Sequence, residues 1–414
     1  MKSTDRNLRI LIDARIEKDK NGGIEQALIG LAESFSIANF SDLNFGWLIS
    51  EGSSLFDGVD LPKKSELIIL KNVNRKLLLV KFIEIVRRIR LGDRIIGTIR
   101  GHGPLAYKLP REPFEVTQWN PDLIHFPTQF GFSTSIPNVY QPHDFQHHHF
   151  PQNFSLETLS LRTIGYGGMI EQSSCVVVGN EWTKIDFRHW FPDYRGLILN
   201  IPVIPCSLEK AQEIENLENE LINYIFYPAS YWPHKNHELL IKAHKKLNDE
   251  GFRIKLVLCG FERNSNFENI VKEYGIPDQI VTLGRVNSST LEELYRRAFC
   301  LVMPSFFESE SLPLWEAARY EVPIIAANVT AISSQIDTGA LLFDPNDVED
   351  LKNSIIMILQ DKLLRNQLIS DAKTRLNLLT AENTAKGYRF AYRQALNISM
   401  DSLDENFLFD GFRF

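Results

Sequence analysis

From residue 224 onward, six short apolar runs recur at intervals that leave room for a helix between each pair. They cover 224–229, 254–259, 279–283, 299–303, 323–327 and 340–343. Strands covered on both faces read as unbroken hydrophobic runs, and parallel pairing requires a crossover segment between them. The alternation therefore predicts an α/β fold with a doubly wound parallel sheet. A chain of 414 residues exceeds one ordinary core, so two domains are expected. The segment 208–220 is charged and lacks an apolar stripe, and it reads as the linker between them. The expected division is 1–208, 221–380, and a terminal stretch 381–414 that opens with a helix.

The fourth run leads into the most informative loop. Phe299 to Met303 reads as a buried strand, and Pro313 suits the first turn of a helix in which Leu314, Ala317 and Ala318 share one side. Between them lie Glu308, Ser309, Glu310, Ser311 and Leu312, with Glu316 one turn inside the helix. Parallel sheets bind ligands at the carboxyl ends of their strands, and free N–H groups at a helix start suit a phosphate. An acidic helix start favoured by the dipole is the plainer reading of the two glutamates. Lys235, in Trp232-Pro233-His234-Lys235-Asn236-His237, follows the first run of this half and stands where a compact cation can meet a diphosphate or simply face solvent.

The first half is sparser. Leu8–Asp13 reads as a strand, followed by Gly22-Gly23 and a helix with Ile24, Leu28, Leu31 and Phe35 on one face. That glycine pair fits a phosphate loop or a flexible turn. Residues 122–127 and 138–142 look like strand ends, the second running into His143-Asp144. His147, His148 and His149 are consecutive, and adjacent side chains seldom converge on one ion, so no metal is expected there. Residues 173–180 read as a buried strand ending at Asn180. The basic amphipathic stretch 75–111 suits either an anionic membrane surface or a core-facing helix with a solvated basic side.

A net charge of −7 argues against a general nucleic-acid binder. Cys175, Cys206, Cys259 and Cys300 have no paired spacing and read as buried thiols. Neither a signal peptide nor a bilayer-length apolar run is apparent, so the expected location is cytoplasmic, with peripheral contact on the inner membrane face through 75–111.

The arrangement Pro304-Ser305, Glu308-Ser309, Ser311-Leu312-Pro313-Leu314 and Glu316-Ala317 resembles the Glu-x7-Glu signature of family 4, the retaining GT-B glycosyltransferases also known as group 1. The resemblance implies two Rossmann-like domains facing a cleft, with the last helix crossing back to the first domain. It implies that Glu308 contacts the donor sugar, that the amides of Ser309, Glu310, Ser311 and Leu312 meet sugar and diphosphate, and that Glu316 holds the ribose. By the same likeness Gly22 and Gly23 approach the diphosphate, His143 meets a sugar hydroxyl or the transfer site, Asn180 is a donor contact, and Arg285-Val286 lies near the base. Two departures stand out. Ser230 occupies the place of an Arg that usually shares the work of Lys235, and Gln335 stands where many relatives have Glu.

The function implied is retaining, metal-independent hexosyl transfer without a cofactor, with GDP-mannose the expected donor. The expected acceptor is a glycan or lipid-linked oligosaccharide in surface polysaccharide synthesis. An inactive GT-B binding subunit and a nucleotide-sugar epimerase are the alternatives.

Overall fold

The computed structural model describes residues 7–16, 22–71, 109–204, 221–260 and 265–409. The linker 208–220, Cys206, most of the 75–111 stretch and the last five residues lie outside these. The described residues form two compact units. One holds those up to Val178, Lys184–Ile201, and those from Ala381 onward; the other holds Gly179–Thr183 and those from Pro202 to Thr380.

In the first unit the strands are β1 (Leu8–Asp13), β2 (Leu43–Ser50), β3 (Ser65–Leu70), β4 (Leu123–Phe126), β5 (Asn138–Tyr140), β6 (Cys175–Val178) and β7 (Leu197–Asn200). They pair in the order β3-β2-β1-β4-β5-β6-β7, parallel throughout. Alternate side chains go to opposite layers. Ile10 and Ile12 join Leu28, Leu31 and Phe35 of the helix Gly22–Ala38, whereas Leu11 joins Trp119, Tyr140 and Tyr166 on the other face. Each large apolar side chain buried this way contributes roughly 1.5–3 kcal/mol.

The helix Ala381–Ala395 belongs to this unit. Its Tyr388, Ala391 and Tyr392 pack into the layer that holds Phe35. Two hydroxyls fix it to the sheet: Tyr388 donates to Gln141 Oε1 at 2.8 Å, and Tyr392 Oη lies 2.9 Å from His125 Nδ1. Burial pushes His125 down to about 3, so its ring is neutral and the bond to the tyrosine joins two uncharged groups. Arg389 closes the far side, paired with Asp42, Asp401 and Asp404 at 2.5–2.9 Å.

In the second unit the strands are β8 (Tyr224–Pro228), β9 (Leu256–Cys259), β10 (Ile280–Gly284), β11 (Ala298–Met303), β12 (Ile324–Ala327) and β13 (Ala340–Phe343). Their order is β10-β9-β8-β11-β12-β13, again parallel. All six coincide with the apolar runs read from the sequence to within two residues. The strands β2, β3 and β7 were not anticipated. In β2 the apolar pattern is broken by Asn44 and Gly46, where an added Cβ would lie only 2.9 Å from the ring of Trp119, while β3 and β7 have short apolar runs at the sheet edges and are partly exposed.

Candidate functional site

In both sheets the strand order reverses beside the first strand of the unit, and such a switch point opens a crevice at the carboxyl ends of the two flanking strands. In the second unit those strands are β8 and β11. The loop after β8 carries Lys235, the loop after β11 carries Glu308, and Lys235 Nζ lies 2.7 Å from Glu308 Oε1. The lysine side chain is about one-fifth exposed and the glutamate less than one-tenth, so the pair is largely shielded from water.

The loop bearing Lys235 is fixed by partners on both sides. Pro233–Lys235 forms a single tight turn closed by Asn236, at φ 52° in the left-handed region that asparagine tolerates. The Asn236 side-chain amide donates to Pro304 O at 3.1 Å and Pro345 O at 3.0 Å. Tyr227 donates to Lys235 O at 3.0 Å and lies 3.1 Å from Ser305 Oγ, while the Phe306 amide donates to His234 O at 2.7 Å. Nothing in the sequence alone singled out Asn236 or Tyr227 for this work.

The loop bearing Glu308 is held along its length. Thr330 Oγ1 accepts from the Glu308 amide at 3.0 Å and donates to the Glu308 carbonyl at 2.6 Å. Gln335 Oε1 accepts from the Ser311 amide at 2.8 Å, and its Nε2 donates to the Ser311 carbonyl at 2.6 Å. The Asn180 amide and the Thr183 hydroxyl both donate to Ser309 O. Glu310 accepts from the Val203 amide at 2.6 Å, and burial lifts its carboxyl to about 8. A side chain at Gly179 would overlap the Glu310 carboxyl.

Two expectations are corrected here. Ser311 is buried, its amide is committed to Gln335 and its hydroxyl lies 3.3 Å from Met303 Sδ, so it faces inward. Asn180 is buried against the loop carbonyl and the Thr183 amide, which makes it a holder of the loop and not a group presented to a ligand. Ser309 and Glu310 are half-buried.

Leu312 opens the helix Leu312–Arg319, with Pro313 in its first turn. Glu316 on this helix is buried and accepts from Tyr295 Oη at 2.6 Å. Tyr295 is itself locked edge-on to Phe226 and stacked on Tyr320, with ring centroids 5.0 and 5.7 Å away. Ser230 is half-buried just past β8, where Gly260, at φ 156°, lets Ala229 O approach closely. Arg285 is exposed and Val286 half-buried after Gly284, which turns at φ 69°.

The first unit offers its own strand-end groups. His143 follows β5 at φ 66°, with Nε2 2.7 Å from Pro127 O. Burial lowers its proton affinity, so the neutral ring donates through Nε2 and leaves Nδ1 as an acceptor. Asp144 pairs with Arg162 at 2.9 Å and accepts from Gln129 at 2.9 Å. Gly22 and Gly23 stand in the first turn of the helix Gly22–Ala38, not in a preceding loop. The three histidines take different partners: His148 stacks on Trp190 at 4.3 Å with its ring 4.1 Å from that of His147, His149 meets Asp186 at 2.9 Å, and His147 packs edge-on to Tyr166.

The family model described as Glycosyl transferases group 1 matches residues 209–375, the span that contains Lys235, Glu308 and Glu316. Over this span the chain is similar to the group 1 glycosyl transferases. It is 29% identical over 178 residues to the O-antigen chain mannosyltransferase RfbU of Salmonella typhimurium, covering 43% of this chain and 47% of that protein. It is 33% identical over 141 residues to O-antigen chain mannosyltransferase B of Escherichia coli, covering 33% of this chain and 37% of that one. The match thus spans about half the length, or less, of these curated relatives. Among solved structures, sucrose-phosphate synthase from Thermosynechococcus elongatus superposes with a TM-score of 0.64 at 17% identity, over 95% of this chain and all of that one. Anabaena HepE, solved in complex with UDP and glucose, gives 0.62 at 15% identity, over 93% and 99%. At these identities the likeness establishes the fold alone: two Rossmann-like parallel-sheet units, the GT-B architecture.

Proposed function

We propose that this chain is a group 1 glycosyl transferase that moves a hexosyl residue from a nucleotide sugar to a glycan or lipid-linked oligosaccharide, with mannose from GDP-mannose the favoured donor. The observation that carries the reading is the Lys235–Glu308 pair at the switch point of the second sheet, with Glu316 held in the adjoining helix by Tyr295. Lys235 is suited to the donor diphosphate, Glu308 to sugar hydroxyls and Glu316 to ribose hydroxyls. The mannosyltransferases among the relatives support the sugar, and the nucleotide held by HepE supports a nucleoside diphosphate donor.

In this reading the leaving diphosphate is stabilised by Lys235 and by the amides at the start of the helix Leu312–Arg319, without a metal or cofactor. Glu308 orients the sugar and does not attack it. Departing phosphate assists the incoming hydroxyl on the same face, with retention of configuration. His143 Nδ1 would accept from a hydroxyl at the transfer site. The test is the thermal midpoint of the protein against GDP, UDP and their sugars. A ligand at about 100-fold over Kd stabilises the native state by roughly 2.7 kcal/mol. A selective shift with GDP-mannose, followed by NMR of the product anomer, supports the reading; no shift with any nucleotide overturns it.

A further inference from the structure

The bonds from Thr330 and Gln335 have a shared form. Each side chain binds both the N–H and the C=O of one loop residue, Thr330 on Glu308 and Gln335 on Ser311. These two loop residues lie three apart in the chain, and their clamps lie five apart in the segment after β12. That spacing lays the two segments side by side. Thr330 sits at φ 44°, a conformation a β-branched residue rarely adopts, and a strain of about 1–3 kcal/mol persists only where surrounding contacts impose it. The segment is anchored in turn: Arg375 donates to Ser334 O at 2.9 Å and to Gln335 O at 3.3 Å.

We infer that Thr330 and Gln335 are positioning residues that preset the Glu308–Ser311 loop for the donor, and that an amide at 335 is required because Ser311 presents one donor and one acceptor to it. A carboxylate there keeps the bond from the Ser311 amide but turns a second acceptor onto the Ser311 carbonyl. Such a buried mismatch is more costly than a missing bond between two apolar groups. The departure at 335 is in this light a matched element of the site. The charged groups near it are Arg375 on the helix Lys362–Asn377, Asp337 at the end of its own helix, and Glu308 and Glu310 in the loop it holds.

The inference rests on the donor reading above, and its test keeps the two separable. GDP and UDP affinities would be measured by calorimetry at pH 8 and pH 5.5 for wild type, Gln335→Glu, Gln335→Ala, Thr330→Val and Thr330→Ser. The protection factor of the Ser311 amide would be measured on the same proteins without ligand. Expected is a loss of nucleotide affinity of about 10-fold for Gln335→Ala at both pH values. Gln335→Glu should lose about 5-fold at pH 8 and regain most of it at pH 5.5, where a protonated carboxyl supplies the missing donor. Thr330→Val should lose about 10-fold and Thr330→Ser should stay near wild type. Gln335→Glu equal to wild type at pH 8 in both affinity and Ser311 protection would overturn the inference, as would a loss that acid does not reverse. If wild type binds neither nucleotide, the donor reading fails, and the protection factors alone then decide whether the clamps preset the loop.

Discussion

The loops after β11 and after β5 both follow buried strands of parallel sheets, yet they are built differently. The Glu308 loop is bound through main-chain groups of Glu308, Ser309 and Ser311 by side chains from several other segments. The His143 loop rests on one ring-to-carbonyl bond, on the bond from the Asp144 amide to Pro142 O, and on the Asp144 carboxylate, which accepts from Arg162, Gln129 and the Gln146 amide. A loop whose main chain is satisfied on all sides holds its charged side chain to a fixed position, which suits electrostatic stabilisation of a leaving group. A loop held mainly through side chains has more freedom to adjust to an acceptor.

Substitutions at the tightly held loop should therefore have the largest effects on rate. Glu308→Ala or Lys235→Ala should lower turnover by about 100- to 1,000-fold with the fold intact by circular dichroism, the scale of removing one pre-placed group from the transition state. His143→Ala should cost less, about 10-fold; a loss there equal to that at Lys235 would erase the contrast between the loops.

Tyr295→Phe probes support one step removed. It leaves Glu316 buried without its hydroxyl donor, a charged hydrogen bond worth roughly 1.5–3 kcal/mol, and should raise the donor KM about 10-fold with little change in kcat. Its counterpart in the first unit is Tyr392→Phe, which strands His125 Nδ1 in the core. Chemical denaturation should show a stability loss of about 1–3 kcal/mol with unchanged donor affinity.

The last effect, read on stability alone, is the pH response of Glu310. Its folded carboxyl holds a proton up to about pH 8, whereas an unfolded carboxyl releases it near 4.5. The native state thus binds more protons between those values, and stability should fall as pH rises through that window. Glu310→Gln should flatten this slope in a denaturation series from pH 5 to pH 8.

The same contrast marks what the sequence reveals. Six strands of the second unit were legible because each is a short run of mainly apolar residues set apart by helix-length polar segments. Lys235, Glu308 and Glu316 were legible because they sit at strand ends and helix starts, positions that the chain order alone defines. Thr330, Asn236 and Tyr295 were not. Their roles consist of bonds to backbone groups or buried carboxylates 21–109 residues away, and such bonds exist only once the loops have taken their conformations. Gln335 was visible as a departure, but its meaning depended on finding both of its amide atoms engaged on Ser311. Ser311 itself misled, since a serine beside a helix start reads as a ligand contact until its burial is seen.

The Lys235–Glu308 pair has a consequence beyond placement. The cation already has a partner within the chain, and any anion that enters must compete with a carboxylate 2.7 Å away. A lone phosphate would take the lysine and leave the glutamate stranded without a cation. A nucleotide sugar would bring phosphates for one and hydroxyls for the other in the same molecule. Under the proposed function the pair would act as a filter on composition: a ligand carrying both halves exchanges partners without leaving a charge unanswered.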